Sequence, residues 1–229
     1  HKKAAKLILE KGAITHIQDK GGYTPFDLAA IRGHTKVLKL LYTDNFEPAA
    51  PFRLAILHDQ IKVVKFILEK WADFIFMDDC GKRAAATARE YGHLDIADLI
   101  DAAGQEQKRL KIEKFFEAVK ANNIIAVESF LTNGFNLEVK NENGDTAAHI
   151  AAATLRNFYT LQMLLQKRSE LVNQKNNLGE TPLHKAAFDG NLYNVEFLIN
   201  KKADATIKNN LGKTAAEVAR EQGHDKIAA

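Results

Sequence analysis

The sequence is poor in cysteine, in net charge and in long apolar runs. Its single cysteine, Cys80, excludes an internal disulfide and suits a reducing compartment, so we expect an intracellular and most simply a cytoplasmic protein. The 32 basic and 29 acidic residues leave a formal net charge of +3, which provides no electrostatic case for binding nucleic acid or a membrane surface. No apolar run approaches the roughly 20 residues needed to cross a bilayer.

The patterns that carry catalytic or metal chemistry are also missing from the sequence. It contains no His-Glu-x-x-His, no Cys-x-x-Cys and no clustered set of carboxylates and histidines with metal-ligand spacing. Neither a Ser-His-Asp hydrolase pattern nor a Gly-rich phosphate loop is present. Asp78 and Asp79 would raise the pKa of the Cys80 thiol, which disfavours a nucleophile. We therefore predict no active site, no metal, no cofactor and no enzymatic activity in this chain.

The sequence does contain a recurring turn followed by a short helix, clearest at residues 177–191. Thr181 can cap a helix that Pro182 starts at its first position, and Gly190-Asn191 ends that helix. The same pattern follows Thr24, Thr146 and Thr214, and weaker copies begin at Ala50, Arg83 and Glu113. Successive starts are 26, 33, 30, 33, 35 and 33 residues apart, a period typical of stacked helical repeats.

Each start is followed by a second helical pattern, as at residues 36–41, 62–68 and 194–199, with apolar residues at i, i+3 and i+4. A single unit of turn, short helix, second helix and loop cannot bury both helix faces. The units are therefore predicted to stack, with the aliphatic stripes of the second helices forming the core between them.

These repeats resemble the ankyrin family, whose pattern is a Gly turn, Thr-Pro-Leu-His-x-Ala-Ala, Gly-His, an aliphatic second helix and Gly-Ala-Asp. The match is close at 181–204 and good at 19–41 and 141–165. The resemblance implies an all-α solenoid of helix-turn-helix units with β-hairpin fingers, of about six full repeats with partial repeats at both ends. It also implies that His149 and His184 bond to neighbouring turns and have no part in chemistry.

The middle of the chain departs from the family pattern. The stretch between Leu41 and Ala50 has no Gly turn, so we expect its finger to be missing or malformed. Trp71 occupies a position where the family uses Gly after the second helix, and a bulky residue in a left-handed conformation is costly. That corner is therefore predicted to follow another path, although Lys202 occupies the same position in its own repeat.

The charged stretch 101–112 lacks turn chemistry and is the predicted internal boundary. We expect a first array at 1–103, a second array at 104–229 and one continuous solenoid formed by the two, with a long helix in place of a finger as one form of the seam. The run Lys108-Arg109-Leu110-Lys111 is interpreted as a solvated helix face in preference to a phosphate site. Because the chain begins and ends within helical patterns, we expect a fragment of a longer protein.

The function that the resemblance implies is binding of another protein by a monomeric, non-catalytic module. In this family the fingers and the outward sides of the first helices line a concave groove. Phe188 is the preferred anchor, with partial cover by the next repeat as the alternative, and Phe158-Tyr159 in a lengthened turn is a second exposed aromatic feature. Carried over by position, the partner-binding residues are Tyr23, Ile31, Arg32, Lys82, Arg89, Asp145, Glu180, Phe188, Asp189 and Lys213.

Two alternatives remain open at this point. The chain could be the targeting or substrate-recruiting portion of a larger enzyme, since ankyrin arrays often lie beside catalytic domains. It could also belong to a bacterial effector that acts in the cytoplasm of a host cell.

Overall fold

A computed structural model describes residues 2–42, 47–75 and 80–228, and for residues 2, 73–75 and 80–82 it describes the backbone alone. All regular structure in these ranges is helical, as the repeat pattern predicts. The helices are α1 (Lys2–Glu10), α2 (Pro25–Ile31), α3 (Thr35–Leu41), α4 (Ala49–Leu57), α5 (Ile61–Ile75), α6 (Cys80–Glu90), α7 (Leu94–Lys120), α8 (Ile124–Thr132), α9 (Ala147–Ala153), α10 (Phe158–Lys167), α11 (Pro182–Phe188), α12 (Leu192–Asn200), α13 (Ala215–Glu221) and α14 (Asp225–Ala228), with a 3-10 turn at Ser169–Asn173.

The chain forms two compact units, His1–Arg109 and Leu110–Ala229. Each unit has its own apolar core, built around Phe26, Phe52 and Ile67 in the first unit and around Phe115 and Leu161 in the second. The division falls inside α7. Because this helix spans residues 105–112, they form no finger. The expectation of a separate helix start at Glu113 is wrong, because α7 continues through it. The array boundary at 103/104 and the continuous stacking of the arrays stay predictions.

The first helix of each clear repeat starts where the sequence predicts. Thr24, Thr146, Thr181 and Thr214 are the residues that cap α2, α9, α11 and α13. In α11, Pro182 takes the first helical position, where its missing N–H costs no hydrogen bond. In the second helices, the buried members of the aliphatic stripes include Leu38, Leu41, Val64, Phe66, Ile67 and Leu198. Their burial supports the assignment of these stripes to the core.

The fingers are tight turns closed by two backbone hydrogen bonds each. In the finger of α11, the Asn176 N–H donates to the Glu180 carbonyl over 2.9 Å and the Gly179 N–H donates to the Asn176 carbonyl over 3.0 Å. Gly179 has φ +72°, a conformation that favours glycine. The same two bonds close the turns at 19–23, 141–145 and 209–213. Two hydrogen bonds are too few to form a β-strand pair, and no strand occurs in the described ranges. The fingers are therefore hairpin turns without β-strands.

The corner at Trp71 follows another path, as predicted. Trp71 has φ −132° and ψ 26°, which kinks α5 without the left-handed conformation. Its ring packs against Tyr42, Phe66 and Phe26, with centroids 5.2, 6.0 and 6.2 Å away. Lys202, at the equivalent position, does take the left-handed conformation, with φ +62°. The aromatic cluster therefore takes the place of the usual glycine corner in this repeat.

Two stretches of the first unit precede helices α4 and α6. Residues 43–46 of the expected malformed finger lie outside the described ranges, and α4 begins directly afterwards, at Ala49. In the next repeat, Cys80 is the first residue of α6. The first helix of this repeat thus starts three residues earlier than the expected start at Arg83.

Candidate protein-binding surface

The fingers of the second unit are joined into one row by a ladder of asparagines. The Asn177 N–H donates to the Asn143 carbonyl over 3.1 Å, and the Asn210 N–H donates to the Leu178 carbonyl over 2.9 Å. Both asparagine side chains repeat the connection, since their Nδ2 atoms donate to the Glu142 and Asn177 carbonyls, each over 3.0 Å. Each pair of neighbouring fingers is therefore joined by at least one backbone and one side-chain hydrogen bond, so a partner would meet a surface that needs little ordering.

The two motif histidines belong to this scaffold, as the resemblance implies. In His184, Nδ1 accepts the Thr181 backbone N–H over 3.2 Å, and Nε2 then carries the proton and donates to the Lys213 carbonyl of the next finger over 3.1 Å. His149 makes the same bonds to Thr146 and to the Glu180 carbonyl. Burial lowers the pKa of both imidazoles. They are neutral links between successive repeats.

The finger tips expose two leucines that the sequence analysis did not single out. Leu178 is 62% exposed and Leu211 is 77% exposed. They occupy the same position in successive fingers, each directly before a glycine with positive φ. The signal was present in the sequence, because an apolar residue at a turn tip serves no packing need of the fold.

Phe188 and Asp189 lie where the first helix of their repeat ends. Phe188 is 47% exposed, and its backbone carbonyl accepts a hydrogen bond from His224 Nε2 over 3.1 Å. Asp189 is the exposed C-terminal cap of α11, and partial burial raises the pKa of its carboxyl group. Both residues therefore present side chains to solvent, as predicted.

Three other predicted residues are bonded to side chains of the second unit. Asp145 is only 6% exposed, and its Oδ1 accepts from Asn176 Nδ2 over 2.8 Å. Glu180 accepts from the same amide over 3.1 Å, and Lys213 Nζ lies 2.6 Å from the Glu221 carboxylate. The expectation that Asp145 presents its side chain to a partner conflicts with this burial, because the finger-to-finger bond to Asn176 would have to break.

The remaining predicted residues lie in the first unit. Tyr23 and Arg32 are exposed, and Ile31 is half-buried at the end of α2. Arg89 is exposed and forms an ion pair with Asp101. The side chain of Lys82 lies outside the described residues. The predicted set is thus divided between the two units. Tyr23, Ile31 and Arg32 share one repeat of the first unit, and Glu180, Phe188 and Asp189 share one repeat of the second.

Sites of other kinds are not evident in the described ranges. Within residues 2–42, 47–75 and 80–228, no three histidine, cysteine or carboxylate side chains come together in a group that could hold a metal ion. Over the same part of the chain, no helix has the length and apolar character required to span a bilayer.

Comparison with known proteins gives a consistent family. A model for three copies of the ankyrin repeat matches residues 115–209 and 153–229, and a model for many copies matches residues 1–41. XBAT34 of Arabidopsis thaliana, which is named as an E3 ubiquitin-protein ligase, is 32% identical over 54% of this chain and 33% of its own length. The ankyrin repeat and SAM domain-containing protein 6 of Rattus norvegicus is 30% identical over 60% of this chain and 16% of its own length. The nuclear factor NF-kappa-B p105 subunit of the same species is 32% identical over 45% and 11%. The chain spans a third or less of the length of these relatives.

Proposed function

Because the chain belongs to the ankyrin-repeat family, whose repeats serve as protein-interaction modules, we propose that it binds a partner protein through the concave groove of its second unit, without catalysis. The observation that carries the proposal is that one repeat combines buried, hydrogen-bonded scaffold residues with large exposed side chains. Thr181, His184 and Asn176 are buried and bonded within the scaffold. Phe188 and the tip leucine Leu178 protrude from the same repeat into solvent.

The mechanism is docking onto a preformed surface. The finger ladder already fixes the tips relative to one another, so binding spends little free energy on ordering the module. A contact of standard size would bury about 800 Å² on each partner, with one or two large side chains contributing most of the affinity. Phe188 is the expected anchor, since an aromatic side chain in a rigid surround is the usual form of a hot spot. We propose a monomer acting in the cytoplasm, a compartment that suits a single cysteine.

The test is affinity capture from a lysate, identification of the captured proteins by mass spectrometry, and comparison of variants. Phe188→Ala is expected to weaken capture of the specific partner with little change in melting temperature, and Arg32→Ala tests the first unit in the same way. Ile199→Ala is the matched control, because Ile199 is 45% exposed but lies on α12, away from the fingers. Equal capture by Phe188→Ala and the wild type would place the binding site on another face.

A second candidate is that the array recruits targets for a larger enzyme. The observation that favours it is the match to XBAT34, of which the matched segment forms only a third and whose printed name is that of a ligase. Both candidates use the same groove, so the capture experiment serves both. They differ in the full-length protein, which carries a catalytic domain in the second case only.

A further inference from the structure

The second unit carries a row of exposed apolar side chains at the end of the repeats opposite to the fingers. The row consists of Ile125, Tyr159 and Tyr193, which are 82%, 64% and 78% exposed. Each is the second residue of its helix, α8, α10 or α12, and the three are spaced 34 residues apart. We call this set the turn-end row, because these helices start at the turn that joins the two helices of a repeat.

The fold itself does not require apolar residues at these positions. The second residue of α3, α5, α7 and α14 is Lys36, Lys62, Asp95 and Lys226 respectively, and all four side chains are exposed. The scaffold therefore accepts a solvated charge at this point in four other repeats. Three adjacent repeats with a large apolar residue there indicate a surface that is used for contact.

The helix starts that bear the row are held firmly by buried asparagines. Asn157 Nδ2 donates to the Val119 carbonyl over 2.7 Å, and Asn194 Nδ2 donates to the Ala152 carbonyl over 3.0 Å. Asn122 Nδ2 connects to the next turn through the Arg156 carbonyl over 2.9 Å. The three side chains of the row thus stand on a fixed base, and this reduces the entropic cost of binding.

Two acidic side chains lie beside the row, further along the helices that bear it. Glu128 and Glu196 each follow a row residue by three positions, so they lie beside Ile125 and Tyr193 on the same helix faces. Both are exposed, and the ion pairs identified in the described ranges do not include them. On the turn side the charges are mixed, at Lys120, Arg156 and Asp189. A partner that lies along the row meets a negative flank on one side only.

The spacing of the row selects the form of the partner. Helices α9 and α11 pack directly on one another, as α8 and α10 do, and helices packed in this way lie about 8–10 Å apart. Seven residues of an α-helix rise about 10.5 Å, so positions i, i+7 and i+14 meet three successive row residues. Residues on one face of a strand lie about 6.6 or 13 Å apart and fit less well.

We propose that the turn-end row is a second docking surface, which binds an amphipathic α-helix of a partner protein lying across α8, α10 and α12. The helix presents apolar side chains at heptad spacing to Ile125, Tyr159 and Tyr193, and basic side chains to Glu128 and Glu196. This surface lies at the end of the repeats away from the fingers and goes beyond the groove. Its failure in experiment can be distinguished from failure of the groove proposal, since the two are tested with different ligands and different variants.

The test uses three labelled synthetic peptides of 21 residues, which share leucines at heptad spacing and carry lysine, glutamate or glutamine on the flanks. Fluorescence anisotropy with the whole chain is expected to show the lysine peptide binding about tenfold or more tighter than the glutamate peptide. The double variant Tyr159→Lys/Tyr193→Lys is expected to weaken binding about 30-fold or more, as loss of two central aromatic anchors should. It should still fold, because lysine occupies this position in α3, α5 and α14.

The matched control is Leu178→Lys/Leu211→Lys, which makes the same change at finger residues of equal exposure, 62% and 77%. This control should bind the lysine peptide like the wild type, and Glu128→Lys/Glu196→Lys should reverse the preference between the lysine and glutamate peptides. Should the first double variant lower the melting temperature, Tyr159→Gln/Tyr193→Gln replaces it. The proposal is overturned by absence of binding up to about 1 mM, by equal loss in the control, or by a preference that the glutamate changes do not alter.

Discussion

Acid should destabilise the second unit through His149 and His184. Each imidazole accepts a buried threonine N–H at Nδ1 and donates from Nε2 to a carbonyl of the next finger. A second proton on the ring would have to sit on Nδ1, where it would face the threonine N–H. The folded state therefore holds both histidines neutral, and burial also lowers the pKa of each imidazole. The unfolded chain takes up these protons at the ordinary pKa of about 6.5. Stability is therefore fully present above pH 6.5 and is lost as the pH falls toward the lowered folded-state pKa.

The size of the effect follows from the number of protons taken up. Each histidine contributes up to about 1.4 kcal/mol per pH unit in that window, so the pair contributes up to about 2.7 kcal/mol per unit. Because single domains are stable by about 5–15 kcal/mol, one pH unit should visibly shift a urea transition. Below the folded-state pKa values the loss of stability from the two histidines stops growing.

The assay is urea unfolding followed by far-ultraviolet circular dichroism at several pH values between 7.5 and 5. The reference variant is His149→Gln/His184→Gln, which keeps a side chain able to complete the capping box but does not titrate. The difference in pH slope between wild type and variant isolates the two histidines, since all other groups are shared. Parallel slopes below pH 6.5 would refute the argument that both rings are held neutral.

Three smaller perturbations test the scaffold by urea unfolding. Thr181→Ala should cost about 1 kcal/mol through loss of the helix cap, and a melting curve identical to that of the wild type would contradict the assignment. Lys202→Gly should stabilise by about 1 kcal/mol, because Lys202 has φ +62°; the control Lys201→Gly, at φ −85°, should not. Asn194→Ala should cost about 2 kcal/mol, since the buried Ala151 and Ala152 carbonyls lose a shared donor; a loss below 0.5 kcal/mol would argue against these bonds.

Much of the fold could be read from the sequence because the repeat signals are local. Thr181, Pro182 and Gly190 specify a cap, a first turn and a helix end within ten residues, and each acts as predicted. The start expected at Glu113 failed for the converse reason. Residues 105–120 contain no turn residue, and the isolated Gly104 does not end the helix, so α7 continues.

The candidate site was less predictable, because exposure depends on neighbours that are distant in the sequence. Asp145 occupies a position that is variable in the family pattern, yet Asn176 of the next finger draws it into a buried bond. Tyr159 was noted only as an aromatic in a long turn. Its place in a row with Ile125 and Tyr193 becomes evident once the helix starts are in register.

The residue three positions after each capping threonine has one role that the local sequence determines and another that depends on tertiary structure. Asp27, His149, His184 and Glu217 all complete a capping box, which the local sequence determines. The two histidines also have a donor left, and it reaches the carbonyl of the following finger. The sequence determined the repeats and their caps because those depend on neighbours within a few residues. Tertiary structure decided which repeats are bonded together and which side chains stay exposed, because burial is a property of the packed array.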